Sequence, residues 1–373
     1  MAVVRVLHVV GQMKRAGIET WLMQLLRNMD RSRVQQEFLA CHPGAGDYDP
    51  EIRSLGSDVI PCVGPSHPFR FGRRLLGILR ERRYDVVHSH VHHYSGFVLG
   101  IARHAGVPIR IAHSHLDTSR EDEDAGPLRR VYLASMKAAI RRQGTRGVAV
   151  SEVAAAALFG PRWRDDPRWG VMHCALDYSA FRAPIDREAV RAELGLPAGA
   201  LAVGHVGRFD QQKNHGFLLR IAVDVLRREP QACFVLVGEG PLRQSIEAEA
   251  ARLGIRDRVL FTGVRVDVPR LLLACDLFLL PSLYEGLPLV GLEAQAAGLP
   301  IVLSDNITRE LAVVPSLFAW RSLAEPTEAW AETVVTMLHG PRMSPGDSLA
   351  LLERSDFSLQ RSLHLLASLY GAT

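Results

Sequence analysis

Leu277-Phe278-Leu279-Leu280-Pro281, followed by Ser282-Leu283-Tyr284-Glu285-Gly286-Leu287-Pro288-Leu289-Val290-Gly291-Leu292-Glu293-Ala294-Gln295-Ala296-Ala297-Gly298, is the stretch from which the fold of this chain is read. The continuous apolar run Leu277 to Leu280 predicts a buried parallel strand. Pro288 suits the first position of a following helix, and Gly298 suits its C-terminal stop. Such a helix aims its N-terminus at the end of the strand, where free amides and the positive end of the helix dipole favour phosphate. Glu285 and Glu293 flank that point. Carboxylates there serve hydroxyl groups beside a phosphate rather than the phosphate itself, and a nucleotide sugar offers both.

Outward from this block the same rhythm recurs. Strands are expected at Val3 to Val10, Gln36 to Cys41, Asp85 to His88, Pro108 to Ala112 and Gly147 to Val150. Helical runs fall between them, at Ile18 to Met29 and Phe71 to Arg83 for example. After the loop-like Met172 to Asp177 the pattern restarts, with strands at Leu201 to Val206, Cys233 to Val237, Val259 to Phe261, Leu277 to Leu280 and Ile301 to Leu303. Strands alternating with helices predict parallel βαβ units, hence an α/β chain of two Rossmann-like domains, 1–174 and 175–358, with a cleft between them. A length of 373 residues and 47% hydrophobic content suffice for two cores.

The opening apolar run is too short for a signal peptide, and no later segment approaches the ~18 apolar residues of a membrane span. A cytoplasmic protein is expected. Five scattered cysteines without a C-x-x-C pair support neither a disulfide framework nor a zinc ribbon. Residues 1–180 carry a net +7 and the remainder −3. The acidic run Glu121-Asp122-Glu123-Asp124 reads as a solvated loop.

Gly207-Arg208 and Lys213-Asn214 follow the first strand of the second half, at the carboxyl edge where open α/β sheets bind ligands. Only three lysines stand against 41 arginines, so a lysine kept here argues for a compact ammonium beside a diphosphate. Together with Val237-Gly238-Glu239-Gly240-Pro241-Leu242, Phe261-Thr262-Gly263-Val264, Glu285-Gly286-Leu287-Pro288 and Glu293-Ala294, these residues resemble the donor half of retaining glycosyltransferases of family four, which have the GT-B fold. Ser304 to Glu310, His88-Ser89-His90 and Ala112-His113-Ser114-His115 resemble its exopolysaccharide and capsule branch. Cys174-Ala175 stands where the family usually has Asn-Gly.

The resemblance implies that Arg208 and Lys213 bind the donor diphosphate, Glu293 the ribose hydroxyls and Glu285 a hydroxyl of the transferred sugar. Gly238 and the backbone of Gly286, Leu287, Pro288 and Leu289 would meet sugar and phosphates, with Val264 and Arg265 by the nucleobase. Lys14 to Thr20 resembles a glycine loop near the phosphates. There Gly17 fits, while Ala16 replaces a glycine and would be strained if φ were positive. Of the clustered histidines, His115 would contact the sugar, with His113 the competing assignment. The last helix, 359–373, would cross back to the first domain. Neither a metal nor a cofactor is expected.

The implied reaction is front-face transfer from a UDP-sugar to a hydroxyl of a glycan or lipid-linked acceptor, in which the leaving phosphate takes the acceptor's proton. An epimerase of the same fold and a non-catalytic nucleotide-sugar-binding subunit are the alternatives. A dinucleotide oxidoreductase is disfavoured because Gly238 to Arg243 lacks the third glycine of the fingerprint. Arginines flanking Phe71 to Leu79, and Arg129 to Arg146, suit either a solvated face or contact with anionic membrane. No motif for nucleic acid accompanies them.

Overall fold

The structure, a computed structural model, describes residues 3–372 apart from residues 63, 65, 66, 120, 121, 123 and 124. Of the acidic run Glu121 to Asp124, all but Asp122 lies outside the described residues, and Asp122 pairs with Lys137 at 2.7 Å. The chain divides into two compact units. One comprises the residues up to Leu176 together with those from Asp356 onward; the other is Asp177–Ser355.

The first unit is built on seven parallel strands: β1 (Val4–Val10), β2 (Val34–Ala40), β3 (Val59–Pro61), β4 (Val86–Ser89), β5 (Ile109–Ser114), β6 (Arg146–Ala149) and β7 (Trp169–Val171). They lie in the order β3-β2-β1-β4-β5-β6-β7. The chain therefore starts at the centre, runs to one edge, and returns to the other side of β1. The second unit repeats the plan with β8 (Leu201–Val206), β9 (Ala232–Val237), β10 (Val259–Gly263), β11 (Leu277–Leu280), β12 (Ile301–Ser304) and β13 (Phe318–Arg321), ordered β10-β9-β8-β11-β12-β13. The strand order reverses at β1/β4 and at β8/β11, and the crevice outside the carboxyl ends of those pairs is where such sheets take ligands.

The central strands are buried on both faces, every residue of β9 and β11 included, which is why they read as unbroken apolar runs rather than alternating ones. The strands expected from sequence are all present to within two residues. The three additional strands β3, β7 and β13 are sheet edges of three or four residues.

Two local expectations are corrected. Pro288 caps the helix Leu289–Ala296 rather than occupying its first position, because its ψ of 104° is extended. Gly298 does end it, in the left-handed region at φ +68°. Ala16 is likewise extended, at φ −135° and ψ 169°, as the cap of the helix Gly17–Asn28, so the missing glycine carries no strain. The final helix, Leu359–Tyr370, belongs to the first unit. Arg146 donates to Ser368 O at 3.1 Å, and the Tyr370 hydroxyl lies 2.8 Å from His88 Nδ1.

Candidate functional site

In the second unit, the loops leaving β8 and β11 are clasped together at the switch point. Leu283 N donates to Gln212 O at 2.8 Å, Asn214 Nδ2 donates to Pro281 O at 3.1 Å, and Gln212 Nε2 donates to Tyr284 O at 3.1 Å. The clasp delivers Lys213 to Glu285, Nζ to Oε1, at 2.6 Å, while Gln212 Nε2 reaches Oε2 at 3.1 Å. Both carboxylate oxygens of this buried acid are thus satisfied, the condition under which a charge is tolerated away from water. An ammonium has three donors. With one on Glu285, Lys213 keeps two for an anion.

Glycine is required where the strand ends crowd. A Cβ on Gly238, which sits at φ +139°, would lie 2.1 Å from Gly207 O. At Gly207 a Cβ would press on the Lys213 stem at 3.0 Å. The glycines therefore let the ends of β8 and β9 close on one another and let Lys213 lie flat across the first of them.

Arg208 stands exposed, and among the described residues no carboxylate pairs with it. Gly286, Leu287 and Pro288 are buried, and Leu289 is partly so. Glu293, in the second turn of the helix, is half-buried and its carboxylate has no hydrogen-bond partner among the described residues. Burial pushes its carboxyl up to about 7. Val264 is 53% exposed, whereas Arg265 is held by Asp267 at 2.8 Å and Glu193 at 3.1 Å. Gln212 is the member of this cluster that the sequence reading passed over, although it lies inside the Arg208 to Lys213 loop.

In the first unit, Gly17 opens the helix that follows β1, and five histidines gather on one face of the sheet. His88 with His90, and His113 with His115, share faces as their alternate spacing predicts. His8 and Tyr370 were missed. His8 pairs in register with His88 across β1 and β4, a neighbourhood that only the strand order reveals. The ring nitrogens lie 2.9 to 3.1 Å apart at His8–His90, His88–His113 and His90–His115.

Burial lowers all five. His8 falls to about 4, His115 to about 3, and His88, His90 and His113 lie well below the ordinary value, so all are neutral at pH 7. His8, His88 and His90, and likewise His90, His113 and His115, are close enough to share an ion. The observed separations are those of hydrogen bonds, whereas ligands at the ~2.0–2.1 Å of a tetrahedral zinc would set their nitrogens roughly 3.3–3.4 Å apart.

Two family models match the chain: the glycosyl transferases group 1 model over residues 186–344 and the glycosyl transferase 4-like domain model over residues 16–175. EpsF of Bacillus subtilis (strain 168), named as a glycosyltransferase, is 36% identical over 372 residues, which is 98% of this chain and 96% of that one. The chain is a family-four-like glycosyltransferase. It is also 29% identical over 237 residues, 62% of its length and 60% of the other's, to the UDP-Gal:alpha-D-GlcNAc-diphosphoundecaprenol alpha-1,3-galactosyltransferase of Escherichia coli. The glycosyltransferase shares its GT-B fold with Anabaena HepE in complex with UDP and glucose, at TM-score 0.79 and 19% identity, over 99% of each chain.

Proposed function

We propose that the chain is a retaining, metal-independent glycosyltransferase that moves a hexosyl or N-acetylhexosaminyl group from a UDP-sugar to a hydroxyl of a glycan or lipid-linked acceptor in surface polysaccharide biosynthesis. The observation that carries this reading is the Lys213–Glu285 pair at the β8/β11 switch point, followed by a helix carrying Glu293, whose carboxylate has no hydrogen-bond partner among the described residues. In it, Arg208 and Lys213 hold the diphosphate, and the amides of Gly286, Leu287 and Leu289 add the partial positive charge of a helix start. Together they supply what a cation would. Glu293 takes the ribose hydroxyls, Glu285 a sugar hydroxyl, and Gly238 the close approach of backbone. Gly17 lies by the phosphates, Val264 and Arg265 by the base, and His115 accepts from a hydroxyl of the transferred sugar. The acceptor hydroxyl attacks the face from which the diphosphate departs, and its proton passes to the leaving phosphate. The E. coli relative, a UDP-Gal-dependent galactosyltransferase, and the HepE complex with UDP support a UDP donor, and the diphosphoundecaprenol acceptor of the former supports a lipid-diphosphate acceptor.

Thermal-shift measurements with UDP, GDP and ADP test this directly. UDP at a hundred times its dissociation constant should stabilise the fold by ~2.7 kcal/mol, with smaller shifts from GDP and ADP. Absence of a shift with all three would overturn the donor site.

A second expectation concerns pH. A carboxyl that titrates near 7 is only partly ionised at neutrality, and its acceptor role needs the anion. The dissociation constant of UDP should therefore rise about fivefold from pH 7 to pH 6 through this group, since binding free energy follows the proton that must leave. The terminal phosphate titrates in the same range, at about 6. The decisive quantity is thus the difference between the parent and Glu293→Gln, measured by calorimetry at both pH values. Equal pH slopes would remove Glu293 from the ribose.

The first unit also carries a surface suited to lipid. Phe69 is 92% exposed, Leu128 88% and Val131 69%, and Arg70, Arg73, Arg74, Arg129 and Arg130 surround them. They lie on the helices Pro68–Arg82 and Pro127–Gln143, both of which pack against Ser95–His104. Among the described residues no helix is long and apolar enough to cross a membrane. We therefore assign this face to peripheral contact with anionic lipid, each nearby basic residue contributing up to about 1 kcal/mol. Phe69→Glu, Leu128→Glu and Val131→Glu combined should abolish co-sedimentation with phosphatidylglycerol vesicles and leave the melting temperature unchanged. Undiminished sedimentation would sink the assignment.

A further inference from the structure

The histidine cluster contains an ordered chain of hydrogen bonds. His8 Nε2 lies 3.0 Å from Oε1 of the buried Gln36, His8 Nδ1 lies 3.0 Å from His90 Nε2, and His90 Nδ1 lies 2.9 Å from His115 Nε2. Nδ1 of His115 has no partner among the described residues. His8 is fully buried, and His90 and His115 are each 7% exposed.

A neutral imidazole carries one N–H, so it can donate from one nitrogen only and must accept at the other. An amide oxygen only accepts. The Gln36 end therefore sets the direction of every link. His8 donates from Nε2 to Gln36 and accepts at Nδ1 from His90 Nε2–H. His90 in turn accepts at Nδ1 from His115 Nε2–H. What emerges at the far end is a lone pair on His115 Nδ1. An imidazolium at His8 or His90 would place two N–H groups nose to nose at the next link, and at His115, whose Nδ1 ends the row, burial to 7% exposure is what opposes the charge. Packing keeps the rings in place: His8 stacks on Phe38 with centroids 5.3 Å apart, and the Trp21 edge meets His90 and His115 at 6.2 and 6.0 Å.

We propose that Gln36, His8 and His90 are positioning residues that fix His115 as a hydrogen-bond acceptor at Nδ1, so that the enzyme takes donor sugars presenting a hydroxyl, and not a carboxylate, to His115. The specificity half rests on the reading that His115 meets the transferred sugar; the tautomer half does not. A sugar hydroxyl donates into the lone pair. A uronate carboxylate carries no proton to donate and would set two electron-rich groups against each other, leaving both unpaired in a desolvated place. A mirror-image row, begun by a donor at position 36, would invert the preference.

The test combines a spectrum with kinetics. Long-range ¹⁵N–¹H NMR of the histidine-labelled full chain without ligand, with the His115 signals identified by their loss in His115→Gln, should show His115 protonated at Nε2 and bare at Nδ1. Protonation at Nδ1 overturns the proposal whatever the variants do. Gln36→Met keeps the bulk but removes the acceptor. It should give a mixed His115 tautomer and lower kcat/KM for UDP-glucose about tenfold, with the dissociation constant of UDP unchanged. An unaltered His115 spectrum in a folded Gln36→Met protein sinks the relay. If that variant does not fold, the parent spectrum still decides. The parent should prefer UDP-glucose to UDP-glucuronate by about a hundredfold in kcat/KM, and equal use defeats the specificity half. Full transfer by His115→Ala would instead refute the sugar contact while leaving the tautomer result standing, so the two failures are distinguishable.

Discussion

Glu285→Gln should lower kcat by about a hundredfold to a thousandfold while leaving the affinity for UDP within a few-fold of the parent. The size follows from the usual effect of removing one preorganised polar group from a reacting centre. Gln preserves the shape and the hydrogen bond to the Gln212 side, but it removes the charge that Lys213 Nζ meets at 2.6 Å. In the proposed site the sugar hydroxyl then loses its strongest acceptor, and Lys213 loses the anchor that aims it. Lys213→Ala acts on both quantities. In the proposed site it removes a charge from the leaving diphosphate and strands Glu285 Oε1 in a buried place, so kcat should fall by a similar factor and UDP should bind more weakly. Because the two side chains form one unit, the double variant should cost little more than the worse single one. Steady-state transfer assays together with UDP calorimetry read both effects. Unchanged turnover in either single variant would defeat the assignment.

The second large effect is on stability, at the opposite end of the same strands. Asp276 is buried between the helix Val268–Ala274 and β11, and its carboxylate gathers three guanidinium groups and a backbone amide. Arg191 approaches Oδ2 at 3.1 Å, Ala202 N donates to Oδ2 at 2.7 Å, Arg342 donates to Oδ1 at 2.5 Å, and Arg187 donates to Oδ1 as well. Burial alone would raise this carboxyl, but Arg342, the Ala202 amide and Arg187 together hold it below the usual carboxylate range. Asp276→Asn leaves three arginines converging on a neutral amide, one of them, Arg191, only 6% exposed.

A buried ionic cluster broken on one side typically costs about 3–5 kcal/mol. At roughly 2–4 °C per kcal/mol for a unit of this size, the melting temperature should drop by about 6–20 °C. The sign with pH follows from the direction of the shift. A depressed carboxyl contributes stability above its unfolded pKa and loses it as pH falls through the folded value, so the parent should be acid-labile below about pH 4 in a way Asp276→Asn is not. A urea midpoint unmoved by the substitution would show that the arginines find other partners.

The contrast between these two sites explains how much of the molecule could be read in its sequence. Lys213, Glu285 and Glu293 hang on loops and a helix directly beyond apolar strands, so strand and motif announce each other over a few residues. Asp276 and His8 carry no such local mark. Each acquires its role from neighbours brought in by strand order, with β8 beside β11 and β1 beside β4. β3, β7 and β13 escaped for a different reason: three or four residues at a sheet edge contain too few positions to display a period. The concern over Ala16 was a matter of dihedral angle, and a residue's identity alone does not reveal whether its φ is positive.

The final helix has a consequence for how the chain is made. Tyr370, which supplies the hydroxyl beside His88 Nδ1, is synthesised after the whole of Asp177–Ser355. During translation the second unit is complete in itself and free to fold first. The earlier-made unit waits, holding a histidine-lined sheet face partly uncovered until the helix Leu359–Tyr370 emerges. The first unit is thus finished after the second, and a ribosome stalled shortly before the helix Leu359–Tyr370 should display a protease-resistant second unit attached to a protease-sensitive first one.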